Sequence, residues 1–264
     1  MANVAAASPD GSPLLSANGA EVDDRDDLAG RVAAARSLCV LTGSGISAES
    51  GLPTFRGVGG LWRDHRVEEL ASPAGFARDP QLVWTWYCER RRAHANVEPS
   101  AAHAALAALE RRGGDFTLVT QNVDSLHRRA GSHNVLELHG QLREAKCTRC
   151  ERRRGFDDVA AEFAAAGLAA LRHDCGGMWR PDIVWFGEAL PPDALAAGIA
   201  AARRADLMLV VGTSGLVQPA ASLATKRCTA AYVVEINPET TALTPFVDRS
   251  IRARASDVLP RLVA

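Results

Sequence analysis

The chain has 264 residues, 47% of them hydrophobic and 23% charged, enough for one large domain or a large domain carrying a smaller insertion. Its formal net charge of −1 supplies no long-range field, so neither nucleic acid nor a membrane surface is expected as a partner. The longest apolar runs are strand-sized, far below the ~20 residues of a membrane span, and no signal peptide opens the chain; a cytoplasmic location is expected, where the six cysteines are thiols or metal ligands rather than disulfides.

In chain order, residues 1–25 read as a disordered leader rich in Ala, Ser, Pro, Gly, Asn and Asp. Residues 26–36 read as a helix that enters a first buried strand at 37–42. Further strands are expected at 116–120, 183–186, 207–211 and 232–236, each a short apolar run bounded by polar or turn residues. Helical patterns at 103–112 and 194–204 separate several of them. This alternation predicts an α/β fold with a parallel sheet covered on both faces. Two stretches interrupt the rhythm: 80–96, helical with aromatics and arginines, and 146–178, with clustered cysteines and an alanine-rich helix. The reading assigns 26–57, 104–141 and 182–264 to the sheet domain, and 58–103 with 142–181 to a smaller inserted one.

Directly after the first strand comes Gly43-Ser44-Gly45-Ile46-Ser47-Ala48. Glycines in a strand–turn–helix passage let the backbone approach a pyrophosphate, although a tight turn that binds nothing has the same letters. A dinucleotide dehydrogenase would continue with a second strand and an acidic residue about 20 positions on. Here the chain runs GLPTFRGVGGLW over 51–62, with no strand and with Asp64 in a polar segment, so a mobile loop over a ligand is expected. Gln121, Asn122, Asp124 and His127 follow a strand at the sheet edge where open α/β folds place ligands. They suit a site or a hydrogen-bonded turn equally. His139 follows an apolar run and is either a core histidine or a base, since imidazole exchanges protons near neutral pH. Tyr87 and Arg90 sit i and i+3 on one helical face. Arginine in an apolar pocket suits bidentate pairing with a carboxylate, whereas a solvated helix face would leave both outside.

The stretch GSGISAESGLPTFR (43–56) resembles the NAD-binding signature of the sirtuins, a family of NAD-dependent protein-lysine deacylases. Four later segments match it in order: TQNVDSLH (120–127), ELHG (137–140), RPDIVWFGE (180–188) and GTS (212–214). The resemblance spans residues 28–263, and Ser44 departs from it, standing where the family usually has alanine. It implies a Rossmann-like domain with a smaller helical and zinc-ribbon domain, and NAD as co-substrate. By that likeness Gly43, Ser44, Gly45, Ser47, Thr54, Phe55, Arg56 and Trp62 line the NAD site. Gln121 meets the ribose, and Asn122 and Asp124 the nicotinamide end. Ser214 faces phosphate, Asn237 the adenosine ribose and Ala255 lies near adenine, with Gly212, Thr213 and Glu239 also among the NAD-binding residues. His127 is then structural.

The same resemblance makes His139 the general base. Acyl oxygen attacks the ribose anomeric carbon, nicotinamide leaves, and a ribose hydroxyl loses its proton to attack the resulting alkylamidate. The products are nicotinamide, O-acyl-ADP-ribose and free lysine. Phe186 and Val217 resemble the two segments between which an acyl-lysine protein or peptide pairs through its backbone. Tyr87 and Arg90 match the subfamily that removes succinyl, malonyl and glutaryl groups, with acetyl remaining a possible substrate. Cys147 and Cys150 form half of a structural zinc site. Cys175 follows, but one cysteine of the family pattern is missing. His173 can replace it at a tight His-x-Cys spacing; otherwise the cysteines pack a metal-free loop. Cys39, Cys88 and Cys228 read as ordinary thiols. Two alternatives stand beside deacylation: a mono-ADP-ribosyltransferase using the same NAD pocket, and a non-catalytic NAD-sensing module, against which an intact His139 speaks.

Overall fold

The computed structural model describes residues 24–53, 61–62 and 65–263. Its strands are β1 (Ser37–Thr42), β2 (Leu61–Trp62), β3 (His65–Arg66), β4 (Asp115–Thr120), β5 (Val135–Glu137), β6 (Gly140–Cys147), β7 (Arg153–Gly155), β8 (Trp179–Ile183), β9 (Leu207–Val211), β10 (Tyr232–Ile236) and β11 (Arg249–Ile251). Six of them form one sheet in the order β11-β10-β9-β1-β4-β5, every pair parallel. β6 lies between β7 and β8 in a separate antiparallel sheet, and β2 and β3 pair only with each other.

The central strands are uninterrupted apolar runs because both faces are covered. Leu38 and Val40 of β1 join Leu118, Leu209 and Val234 on one face, against the helices Asp24–Ala34 and Ala101–Arg111. Cys39 and Leu41 point the other way and meet Val119, Met208, Val210 and Val233, against the helix Pro192–Arg204. Each such side chain, fully removed from water, contributes roughly 1.5–3 kcal/mol before entropy is counted. The second core gathers Trp84 and Trp86 from the helix Pro80–Ala95, Phe156 and Val159 from the helix Phe156–Ala166, and Leu142, Trp179 and Ile183 from the small sheet. Trp84 stacks on Phe156 with centroids 5.1 Å apart and donates its indole N–H to the Trp179 carbonyl at 2.9 Å. Asp79 caps the helix Pro80–Ala95 by accepting from the Leu82 N–H, and Pro80 occupies its first turn, where no N–H is missed.

One expected strand is displaced. Residues 183–186 are not a strand of the parallel sheet; the ladder is Trp179–Ile183, antiparallel to β6. Val184 and Phe186 then make single backbone bonds, to the carbonyls of His139 and Ala71, both at 2.9 Å. β5 and β11, three residues each, complete the parallel sheet without having shown in the sequence. Residues 1–23 and 54–60 lie outside the described residues, so the expected leader and most of the expected loop are not addressed. Among the described residues no helix is long and apolar enough to cross a membrane.

Candidate active site

The first glycine turn is shaped by a neighbouring turn. Its helix is short, Gly45–Ala48, and the Gly45 N–H donates to the Gly212 carbonyl at 2.8 Å. A Cβ on Gly45 would lie 2.7 Å from Gly212 backbone atoms, and one on Gly43 would lie 2.8 Å from Cβ of Thr213. The sequence reading assigned these glycines to phosphate approach; the contact visible here is between the ends of β1 and β9. Gly45→Ala is expected to cost about 1–3 kcal/mol by forcing the two turns apart, read as a fall of several degrees in Tm with weakened NAD binding.

Below this turn lies a closed set of polar side chains. Ser47 donates to the Asp124 carboxylate at 2.7 Å and accepts from the Asn122 amide at 3.2 Å. The same Asn122 amide reaches the Gly43 carbonyl at 3.1 Å. Burial raises the Asp124 carboxyl above its ordinary value, while the Leu126 N–H and the Ser47 hydroxyl pull it back. His103 Nδ1 accepts from the Ser100 N–H at 3.2 Å, so its hydrogen sits on Nε2, 3.5 Å from the Ser47 hydroxyl. Burial brings His103 down to about 4 and holds His127 well below 6.5, so both rings are neutral. His127 sits 2.9 Å from the Thr42 hydroxyl. Thr42 and His103 are members of this network that the sequence reading did not single out. The Ser-x-x-His spacing of the cap at residues 100–103 was the available signal.

Gln121 turns back over the sheet edge, donating from Nε2 to the Thr213 hydroxyl at 2.9 Å and to the Thr42 carbonyl at 3.3 Å. Its backbone carbonyl lies 2.9 Å from Nδ1 of His139. A carbonyl only accepts, so Nδ1 carries the hydrogen and Nε2 keeps its lone pair. Burial holds the His139 ring below 6.5, and the Gln121 contact opposes that shift. The ring is half-buried at the sheet's C-terminal edge. Next to it, Gly140 has a φ of +77°, and a Cβ there would lie 2.1 Å from the Asp182 carbonyl oxygen.

At the other nucleotide segments, Asn237 donates to the Thr213 carbonyl at 3.0 Å and Ser214 is exposed. Glu239 is exposed, its N–H on the Asn237 side chain at 3.2 Å. Ala255 is buried in a short helix whose next residue, Ser256, donates its N–H to Glu49, just beyond the first glycine turn. Thr54, Phe55 and Arg56 lie outside the described residues; Trp62 is in β2. On the open side, Phe186 and Val217 are 51% and 41% exposed, and Leu216, which the sequence reading passed over, is 62% exposed.

Tyr87 and Arg90 share the buried side of the helix Pro80–Ala95, not a solvated face. Burial pushes the Tyr87 phenol up to about 12, opposed chiefly by Arg90. Burial also pulls the Arg90 guanidinium below its ordinary value, with Tyr87 and Asp124 acting the other way. Arg90 lies over the Trp86 ring at 5.1 Å.

Far from His139, along the eight residues of β6, the cysteine cluster closes. At ~3.3 Å per residue that separation is roughly 20 Å or more. The ligand atoms of Cys147, Cys150, His173 and Cys175 all lie within 4.8 Å of one another. Cys147 and Cys175 sulfurs are 3.4 Å apart, and His173 Nδ1 is 3.0 Å from the Cys175 sulfur and 3.8 Å from that of Cys150. Four ligands about 2.3 Å from a tetrahedral zinc stand roughly 3.8 Å apart, so the set fits that ion. A Cβ on Gly177 would lie 2.6 Å from the Cys147 sulfur, so the loop closes only around glycine. Desolvation disfavours the Cys147 thiolate, but the backbone N–H groups of Cys150 and Arg149, together with the Cys175 and Cys150 side chains, outweigh it and bring that thiol below its ordinary value. Any zinc here is structural. Cys39 and Cys88 are buried and Cys228 half-buried, all free thiols.

Comparison with known proteins agrees with this geometry. Residues 43–219 match the model of the Sir2 family. A protein of Pyrobaculum aerophilum named NAD-dependent protein deacylase 2 is 49% identical over 90% of this chain and 94% of its own length. A solved complex of a Sir2 homolog with NAD is 47% identical, with a TM-score of 0.81 over 90% of this chain and 92% of that one. Sir2Tm bound to a propionylated peptide is 32% identical, with a TM-score of 0.80 over 90% and 97%. With a parallel sheet carrying paired glycine turns, an oriented histidine at its edge and these relatives across nine-tenths of its length, the chain belongs to the Sir2 (sirtuin) family.

Proposed function

We propose that this chain removes acyl groups from lysines of proteins or peptides at the expense of NAD, with a preference for acyl groups that end in a carboxylate. It is an NAD-dependent protein deacylase, as its relatives are named. The observation that carries the reaction is the His139 ring, protonated at Nδ1 by its bond to the Gln121 carbonyl and basic at Nε2. NAD supplies the ribose whose anomeric carbon takes up the acyl oxygen as nicotinamide departs. His139 Nε2 receives the proton that a ribose hydroxyl must lose before it attacks, a transfer that needs a neutral ring near pH 7. Asn122, Ser47 and Asp124, bonded to one another, supply a pre-set polar wall for the nicotinamide end. The four-ligand cysteine and histidine set would hold one structural zinc, remote from the ribose. The exposed side chains at Phe186 and Val217 support an extended peptide laid between their segments, held by backbone bonds with little sequence preference.

The acyl preference rests on Tyr87 and Arg90. A guanidinium partly stripped of water gains most from a carboxylate it can pair with. The test compares succinyl, malonyl and acetyl forms of one peptide by nicotinamide release, with and without peptide. Strict peptide dependence is expected; label transfer from NAD to protein would indicate a transferase, and no release a sensor. In Arg90→Met the succinyl-over-acetyl ratio of kcat/KM should fall roughly ten- to hundred-fold, the worth of a charged hydrogen bond. Equal losses on the two acyl groups would remove Arg90 from the pocket.

A further inference from the structure

The residues 184–186 join three parts of the site within one short stretch. The Val184 N–H donates to the His139 carbonyl, and the Phe186 N–H to the Ala71 carbonyl, both at 2.9 Å. Successive side chains of an extended segment point to opposite sides. Phe186 accordingly faces out, while Trp185 is 2% exposed and turned toward the helix Pro80–Ala95. Its indole nitrogen lies 2.9 Å from the Tyr87 hydroxyl oxygen.

That bond has only one direction. An indole N–H donates and never accepts, so the phenol oxygen is the acceptor. The phenol stays protonated, and its own O–H remains for a second partner. Trp185 is itself held on several sides. Its backbone N–H donates to Glu188 at 2.8 Å, and the Arg180 guanidinium lies 3.3 Å over its ring. Phe76 packs against it at 5.3 Å. Arg180 in turn forks onto Glu188 at 2.5 and 2.9 Å and donates to the Ile183 carbonyl at 2.7 Å. A buried bidentate pair of this kind fixes geometry more than it adds stability.

We propose that Trp185 is a positioning residue for acyl selection: by donating its indole N–H to Tyr87, it aims the phenol O–H at the terminal carboxylate of the acyl group. The inference rests on the acidic-acyl reading of Tyr87 and Arg90 and adds a third residue, 98 positions away in sequence. Arg90 supplies the charge that attracts the carboxylate; Trp185 and Tyr87 supply a directed hydrogen bond that a neutral acetyl group does not use. Preorganising one donor in a site that excludes water is worth more than the same donor free to rotate.

The experiment is a double-mutant cycle on succinyl and acetyl forms of one peptide. Trp185→Phe keeps the ring and deletes the donor. It should lower the succinyl-over-acetyl ratio of kcat/KM about ten-fold, chiefly through KM for the succinyl peptide. In a Tyr87→Phe background the same change should lower that ratio no further, because the bond is already gone. An independent reading comes from the Tyr87→Phe protein alone. Of the five tryptophan indole N–H resonances, one should shift and exchange faster with solvent. A Trp185→Phe effect that persists in the Tyr87→Phe background, an unchanged ratio, or five unmoved indole signals would overturn the proposal. If Arg90→Met loses its selectivity while Trp185→Phe keeps it, the positioning role alone falls. If Arg90→Met keeps the succinyl-over-acetyl ratio, the acidic-acyl reading falls and takes this inference with it.

Discussion

His139→Ala is expected to lower kcat/KM for any acyl-lysine peptide by roughly 10²–10⁴-fold, the usual worth of a positioned general base, while NAD affinity stays within a few-fold. The ring is bonded through Nδ1 to a backbone carbonyl and, among the described residues, forms no hydrogen bond with another side chain. Its removal therefore deletes a proton acceptor without loosening the glycine turns or the Asn122–Ser47–Asp124 set. Calorimetric NAD titration of the variant, beside its turnover, separates the two effects. The pH dependence follows from the direction of the shift. Burial keeps the ring neutral to lower pH than a free imidazole, so protonation of the base should not limit activity at neutral pH. Activity should fall off only on the acid side of 6.5 as Nε2 becomes protonated. Retained turnover in His139→Ala, or an acid limb above pH 7, would contradict the role.

The second large effect concerns the metal. The purified chain is expected to carry one zinc, and stripping it with a strong chelator should lower Tm by on the order of 10 °C. The reason is local. Cys147 ends β6, while His173 and Cys175 lie in the turn before β8, so the metal would clamp the two neighbouring strands at their far ends. Without it, the Cys147 and Cys175 sulfurs, 3.4 Å apart, share only a weak thiol hydrogen bond, and the glycine-tight loop around Gly177 has no centre to close on. His173→Ala should leave a three-ligand site that gives up zinc at chelator concentrations the native chain resists. Metal analysis and thermal denaturation decide the matter. A chain that purifies without zinc, and whose Tm ignores the chelator, would be packed by thiols alone.

The central strands were legible because their apolar runs are long and buried on both faces. The same rule failed for β5 and β11, since three residues hold no period to detect. It misplaced the strand at 183–186 because the apolar run continues past the ladder, which ends at Ile183, into residues held by single bonds. Within the site, motif resemblance brought forward Ser47, Gln121, Asn122, Asp124 and His139. It could not reveal that Ser47 also faces His103, 56 positions away, or that Tyr87 meets Trp185. Side-chain pairs set by tertiary packing leave no local spacing to read. The His-x-Cys ligand pair was readable only as an irregularity, and its closure depends on the turn made by Gly176 and Gly177.

One backbone contact has a broader implication for which proteins become targets. The carbonyl of His139 accepts from Val184, so the residue that carries the base is stitched to the segment flanking the exposed Phe186. The distance from the base to a docked polypeptide is thus set by main-chain geometry, whatever side chains that polypeptide bears. Under the proposed function, selection among lysines would depend on whether a modified residue sits in a stretch that can straighten, and on what its acyl tail ends in. Local unfolding of the target, rather than a consensus motif, would govern how often a given lysine is cleared.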